Sequence, residues 1–307
     1  RQLMREISYP HIRTHRIYQP SETEFKVVDT KVAAVRVGYV MGSGDKVPEA
    51  LRRLGLEVTL LTDTDLTAGD LSRFDTIVVG IRASQTRAAF VANNRRLLDF
   101  AEQGGNLIVQ YQQPDFIAQG LAPFPASMDG NVRVVDETAP IVILEPDHPV
   151  FTFPNQITAQ DFDGWVQERN NYNFTSFDRS RYIPLTEAHD EGEANSEGGM
   201  LYAKIGKGHY VYTSYSWFRQ LPNGVPGAYR LFANLLSLSA APCLQGSAAC
   251  RDNNHDPAGS LTFTFSAPGV AADPTSYSEH FTLWPSFFRP IFSIDFLPHC
   301  LAKREPI

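Results

Sequence analysis

A chain of 307 residues with 43% hydrophobic content is long enough to bury one large core, alone or with appendages. Its net charge of −7, with no lysine and arginine cluster free of interleaved acids, argues against a nucleic-acid partner. The three cysteines, Cys243, Cys250 and Cys300, all lie in the last quarter, which leaves the main body without a disulfide framework, a thiolate metal site or a cysteine nucleophile. No stretch is long and apolar enough to span a membrane.

The chain opens on Arg1 with no charged start ahead of an apolar core, so no signal peptide is expected and an upstream part is expected to be missing. Residues 1–34 carry Tyr9-Pro10-His11 and Gln19-Pro20 with little periodicity and read as an extended connector, with a possible short strand over 25–28. His11 and His15 stand four apart, but Pro10 argues against the helix that would place them on one face, so no metal site is expected.

From Val35 onward strands and helices alternate. Strands are expected at 35–40, 58–61, 76–80 and 106–111, with helices at 47–54 and 95–103 and a helix-capping loop region over 63–72. Gly55 and the Gly104-Gly105 pair supply the helix ends. This βαβαβαβ order implies a doubly wound, mainly parallel sheet with right-handed crossovers. The turn Gly42-Ser43-Gly44-Asp45 has two glycines of a dinucleotide fingerprint but lacks the third, and reads as a structural turn. In such folds ligands sit at the carboxyl ends of the strands, so Arg82, Tyr111, Gln112 and Gln113 should line any site. None of these is a usual nucleophile.

Further along, short extended segments are expected at 132–135 and 141–144, and an exposed acidic loop over 187–199. Residues 200–215, turning at Gly206-Lys207-Gly208, read as an antiparallel hairpin at the side of the sheet. A closing helix follows over 228–238. Residues 243–307 show neither helical nor strand periodicity, and loose packing against the body is expected of them.

Residues 6–241 resemble the class I glutamine amidotransferase-like domain that follows the deacetylase in long bacterial proteins of the PIG-L (LmbE-like) family. The similarity is carried by Tyr9-Pro10-His11-Ile12, the 37–45 segment Val-Gly-Tyr-Val-Met-Gly-Ser-Gly-Asp, Phe74 to Gly80, Asp147-His148-Pro149-Val150-Phe151, Asp163 to Arg169 and Tyr212-Thr213-Ser214-Tyr215. The resemblance implies a flavodoxin-like α/β domain over 35–241, joined to an upstream deacetylase and exported to the periplasm or outside the cell. That enzyme's His-Pro-Asp-Asp zinc motif has no match, because His148-Pro149 is followed by Val150-Phe151. Zinc is therefore expected only in the deacetylase domain, with no cofactor in this chain.

The amidotransferase elbow cysteine is replaced by Tyr111-Gln112-Gln113, which removes the thiolate route. The remaining hydroxyls are Ser84, Ser214 and Ser216, with His148 or His209 as base and Asp163 or Glu168 as orienting carboxylate, but no Gly-x-Ser-x-Gly elbow surrounds any of the serines. His148 is expected to fix its loop. Trp165, Arg169, Tyr215 and Trp217 either stack on a sugar or cover the sheet. The expectation is a non-catalytic accessory module that docks on the deacetylase or binds a glycan or amino sugar; a serine hydrolase and a pure scaffold are the alternatives.

Overall fold

The computed structural model describes residues 2–20, 26–242 and the backbone of Phe288–Pro290. The segment read as aperiodic, 243–307, lies outside the described residues apart from that short strand. The chain begins with a hairpin of β1 (Gln2–Ile7) and β2 (His15–Pro20), which pair only with each other. His11 sits in its turn and His15 opens β2, so no helical face brings the two together. Residues 26–30 form no strand, and Phe25 lies outside the described residues. A three-residue strand, β3 (Lys31–Ala33), then buries Val32 and Ala33 in the main core and pairs with Phe288–Pro290.

The body follows the predicted alternation: β4 (Val37–Val40), α1 (Val47–Arg53), β5 (Val58–Leu60), α2 (Asp63–Ala68), β6 (Thr76–Val79), α3 (Ala83–Thr86), α4 (Ala88–Glu102), β7 (Asn106–Gln110) and α5 (Asp115–Ala118). Short pairs of two-residue strands and α6 (Pro149–Thr152) lead to the edge strand β8 (Ile183–Pro184) and the hairpin β9 (Met200–Ile205) and β10 (Gly208–Thr213). Helices α7 (Trp217–Gln220) and α8 (Pro226–Leu236) complete the domain. The seven-stranded sheet runs β8-β9-β10-β7-β6-β4-β5. Its five strands from β10 to β5 are mutually parallel, and β8 and β9 are antiparallel additions at one side.

Both faces are covered, which is why the central strands read as unbroken apolar runs. Along β7, Leu107 and Val109 pack in the cluster with Phe90, Leu97 and Ala101 of α4, whereas Ile108 faces the cluster that holds α1 and α8. Gly55 and Gly104, with φ of 77° and 125°, supply the left-handed residues at the ends of α1 and α4. Helix α4 begins at Ala88, seven residues before the expected start. The short strands near 133 and 142 pair with 170–171 and 186–187 respectively.

One buried amide pair closes the fold. Asn234 of α8 donates to the carbonyls of Val150 and Asn155 at 2.9 and 2.7 Å, and its Oδ1 accepts from the Asn155 backbone N–H at 2.9 Å and from Asn155 Nδ2 at 2.8 Å. Asn155 in turn meets both the N–H and the carbonyl of Lys31 at 2.8 Å, which ties β3 to the helix layer. Replacing Asn234 by Leu strands the Val150 and Asn155 carbonyls and the Asn155 N–H away from water, and should lower unfolding free energy by on the order of 3 kcal/mol. A urea titration checks this: the midpoint should fall with the slope unchanged, and an unmoved midpoint contradicts it.

Candidate functional site

The carboxyl ends of β4, β6, β7 and β10 meet a group of loops whose geometry is set by two glycines. A Cβ on Gly42 would lie 2.0 Å from the carbonyl oxygen of Ile81, and one on Gly80 would lie 2.9 Å from the carbonyl oxygen of Val40. Bare Cα atoms at both positions let the β4–α1 and β6–α3 loops touch, and the Ser43 N–H donates to the Ile81 carbonyl at 2.9 Å. The Gly-Ser-Gly turn is thus explained by this close approach, in keeping with its structural reading.

The close approach forces a sharp turn after β6, and its residue is Arg82, at φ 55° and ψ 27°. Left-handed backbone disfavours any residue with a Cβ other than Asn or Asp. Among the described residues only Gln167 and Tyr172 are other non-glycines at positive φ, and both belong to the loop that borders the same edge. Three unfavourable backbone conformations therefore gather at one end of the sheet, a distribution that marks functional sites more often than random packing.

The turn is held by the segment after β7. The Arg82 N–H donates to the Tyr111 carbonyl at 2.9 Å, and Ser84 N–H donates to Gln112 Oε1 at 3.0 Å. Gln112 Nε2 closes the bracket by donating to the carbonyls of Gly80 and Gln110 at 2.9 and 2.8 Å. Gln112 is fully buried, so it clamps two loops instead of lining a pocket as expected. Its neighbours face outward. Arg82 Nε donates to Gln85 Oε1 at 2.8 Å, Gln85 Nε2 to Gln113 Oε1 at 2.6 Å, and Gln113 Nε2 to the Tyr111 hydroxyl at 3.1 Å. No carboxylate pairs with Arg82 among the described residues.

Tyr111 carries this polar chain into an aromatic wall. Its ring lies 5.6 Å from Tyr172 and 6.1 Å from Phe218, and all three are only partly buried. Burial raises the Tyr111 hydroxyl above its usual value, against the opposing effect of the Gln113 hydrogen bond. Beyond the wall, Glu168 accepts from Arg219 Nε at 2.8 Å and from the Ser216 hydroxyl at 2.9 Å. Burial pushes the Glu168 carboxyl up, but hydrogen bonds from Asn171, Arg219 and Ser216 outweigh it and hold it below its ordinary value. Phe218, in the four-residue helix α7, and Tyr172, in an irregular loop, lie in segments too short or irregular to show a period; their proximity to Tyr111 depends on the backbone bonds from Asn171 N–H to Ser214 and from Ser216 N–H to Arg169.

The other expected residues are elsewhere. Trp165, Arg169, Tyr215 and Trp217 are each at most 3% exposed and form one interior cluster with Phe162 and Phe232. Arg169 donates to the carbonyls of Ala139 and Phe162, so its guanidinium pins loops. These four side chains cover the sheet and cannot stack on an external sugar. His148 caps α6 by accepting from the Val150 N–H, and its ring packs edge-on against Tyr202 at 4.5 Å. Tyr202 Oη lies 2.9 Å from His209 Nδ1, near the start of β10.

Among the described residues no hydrogen bond joins His148 or His209 to Ser84, Ser214 or Ser216. His209 and Ser214 are five residues apart along an extended chain, about 16 Å. Ser84 Oγ is buried without a hydrogen-bond partner, Ser214 donates to Asn173, and Ser216 donates to a carboxylate already paired with Arg219. Among the described residues no three His, Cys, Asp or Glu side chains converge as metal ligands. A hollow of about 950 Å³ opens at the opposite end of the sheet beside Asp70, Asp75, Arg96 and Ala241. Its charged groups serve helix ends and neighbouring loops: Asp70 caps a turn, Asp75 pairs with Arg36, and Arg96 donates to three carbonyls. The carboxyl edge, with unpaired groups facing outward, is the better candidate.

No protein-family model and no curated protein sequence matches the chain. Solved structures are similar at low levels. They include the β-galactosidase of Rahnella sp. R3, at 13% identity and a TM-score of 0.44 over 67% of this chain and 32% of that one, so the match spans about a third of the galactosidase. A cytoplasmic protein of Salmonella typhimurium is 15% identical, with a TM-score of 0.43 over 77% of this chain and 94% of that one. A ThuA-like protein of Bacteroides uniformis ATCC 8492 is 12% identical, with a TM-score of 0.44 over 66% and 89%. Similarity this low leaves the α/β architecture resting on the sheet topology itself.

Replacing Gln112 by Leu removes the bracket and leaves one N–H and two carbonyls unpaired, which should destabilise the protein by on the order of 2 kcal/mol. Denaturant midpoints check this, and a neutral substitution would show that the loops hold without the clamp. The two histidines give a pH dependence. Burial lowers both His148 and His209 from 6.5 to about 4, His209 with added repulsion from Lys204 and His148. As pH falls below 6.5 the unfolded chain takes up these protons first, so stability present above pH 6.5 is lost toward pH 4, by at most about 1.4 kcal/mol per pH unit for each histidine. Melting curves across that window should show the loss, and the double variant His148→Asn with His209→Gln should flatten it; an unchanged slope in the variant contradicts the assignment.

Proposed function

We propose that this domain is a non-catalytic binding module of the glutamine amidotransferase-like type, which serves a zinc-dependent deacetylase of the PIG-L kind and holds a saccharide at the carboxyl edge of its sheet. The observation that carries the reading is the union, at one edge, of a hydrogen-bonding chain from Arg82 through Gln85 and Gln113 to Tyr111 with a partly exposed wall of Tyr111, Tyr172 and Phe218. Amides and a guanidinium suit the donor and acceptor pattern of hydroxyl groups, and aromatic faces suit the C–H faces of a pyranose ring. The resemblance places the amidotransferase elbow at Tyr111-Gln112-Gln113, which holds no cysteine. The partner deacetylase and its zinc come from the family resemblance, and export outside the cytoplasm comes from the same source.

The test is a saccharide-binding screen by calorimetry, run beside glutamine hydrolysis and amino-sugar deacetylation assays on the same preparation. Binding of at least one neutral or N-acetylated saccharide is expected, with Tyr111→Ala weakening it about tenfold, or about 1.4 kcal/mol. Turnover of glutamine or release of acetate above a heat-inactivated control would overturn the non-catalytic reading. Saccharide binding that ignores Tyr111 would move the site off this edge.

A further inference from the structure

The charge balance of the edge defines its ligand more narrowly. Of the arginines bordering the site, Arg219 is paired with Glu168 and Arg87 with Asp63. Among the described residues no carboxylate pairs with Arg82, and its contact with Gln85 uses only Nε. The nearest carboxylate in sequence on the facing segment, Asp115, accepts from Gln119 on its own helix at 3.2 Å. The guanidinium is therefore a single unneutralised charge, partly withdrawn from water, with both terminal nitrogens available.

Its backbone adds a second, independent observation. The 82 position is left-handed, where Gly, Asn or Asp would be the accommodating choices, yet a long cationic side chain stands there. The turn is over-determined by Gly42, by the Tyr111 carbonyl and by the Gln112 bracket, which is the condition under which such a conformation persists. What the conformation achieves is to send the Arg82 side chain toward Gln85 and the polar chain that ends at the Tyr111 hydroxyl.

We propose that the site takes a saccharide bearing one carboxylate, a uronic acid, with the Arg82 guanidinium fork on the carboxylate and the Tyr111, Tyr172 and Phe218 wall on the ring. This rests on the saccharide reading above. The two free Nη atoms match a carboxylate's two oxygens side by side, the bidentate geometry that distinguishes Arg from Lys. One unpaired cation balances one negative charge, whereas a phosphate dianion would be left half neutralised with the neighbouring cations already paired.

The experiment compares glucuronate, glucose, glucose 6-phosphate and acetate by calorimetry on the full chain. Glucuronate should bind at least tenfold more tightly than glucose and than acetate, because neither alone engages both fork and wall, and more tightly than the phosphate ester. Arg82→Asn, a residue that tolerates the left-handed turn, should weaken glucuronate at least tenfold and glucose by much less, so that the two bind alike, while Arg82→Lys should recover only part of the glucuronate affinity. Equal affinity for glucose and glucuronate in the wild type overturns the uronate assignment while leaving the saccharide reading in place. Acetate as tight as glucuronate, or the phosphate ester tighter, likewise overturns it. Binding of none of the four overturns the uronate assignment, and the saccharide reading is then decided by the wider screen. The wild-type comparison decides the matter even if a variant fails to fold.

Discussion

The contact between Gly42 and the Ile81 carbonyl is the constraint on which the carboxyl edge depends. The neighbouring parallel strands β4 and β6 must let their outgoing loops pass, and here they pass at a distance that excludes a Cβ. Everything at the edge follows from that closeness. The β6–α3 turn is squeezed into left-handed backbone at Arg82, the Tyr111 carbonyl receives the displaced N–H, and Gln112 spans the gap. A fully buried glutamine is acceptable there because its amide meets one N–H and two carbonyls that would otherwise stand unpaired. A neighbouring buried amide is less complete. Gln110 Nε2 donates to the Tyr39 hydroxyl at 2.9 Å and Tyr39 donates on to Asp45, but Gln110 Oε1 has no partner among the described residues.

Stability and recognition use different aromatic groups in this molecule. Trp165, Tyr215, Trp217 and Phe232 lie inside, with the indole N–H of Trp217 on Thr213 and that of Trp165 on the Asp161 carbonyl. These satisfied donors explain how such bulky amphipathic rings can be buried completely. Tyr111 and Tyr172 lie on loops and Phe218 on the short helix α7, all three partly exposed, where a flat wall can meet a ligand. The separation also keeps the histidines away from the edge, since His148 and His209 gather around Tyr202 toward the amino ends of the central strands.

The parallel sheet was legible because strands covered on both faces cannot alternate, so 76–80 and 106–111 stand out as apolar blocks bounded by Gly and polar residues. The hairpin was legible from Gly206, whose φ of 53° the turn requires. The first half of α4 was not legible because Asn93 and Asn94 break the apolar period; in the structure Asn93 bonds back to Ala89, and Asn94 is buried against the Leu121 carbonyl. Residues 126–187 hold strands of two residues, too short for any period to register. Arg82, Tyr111 and Gln113 were placed at the carboxyl edge by the rule that strand ends face the crevice, and their side chains do lie there, partly buried. That rule places a residue at an edge without saying whether its side chain turns in, and so it could not separate Gln112 from Gln113. The interior tryptophans failed for a related reason, since composition alone cannot tell a stacking platform from a core.

The most direct test of the carboxyl-edge account is the response of the arginine Nε–Hε resonances in a two-dimensional spectrum as glucuronate is added. Arg82 Nε already donates to Gln85 at 2.8 Å, which should slow its exchange enough for a resolved signal. The account predicts that the Arg82 signal shifts saturably, together with the amides of Gln85 and Gln113, while Arg96 at the opposite end stays in place. A spectrum in which Arg82 is silent, or in which Arg96 and the amides of residues 69–75 move instead, would contradict it and would assign binding to the hollow at the amino ends of the strands.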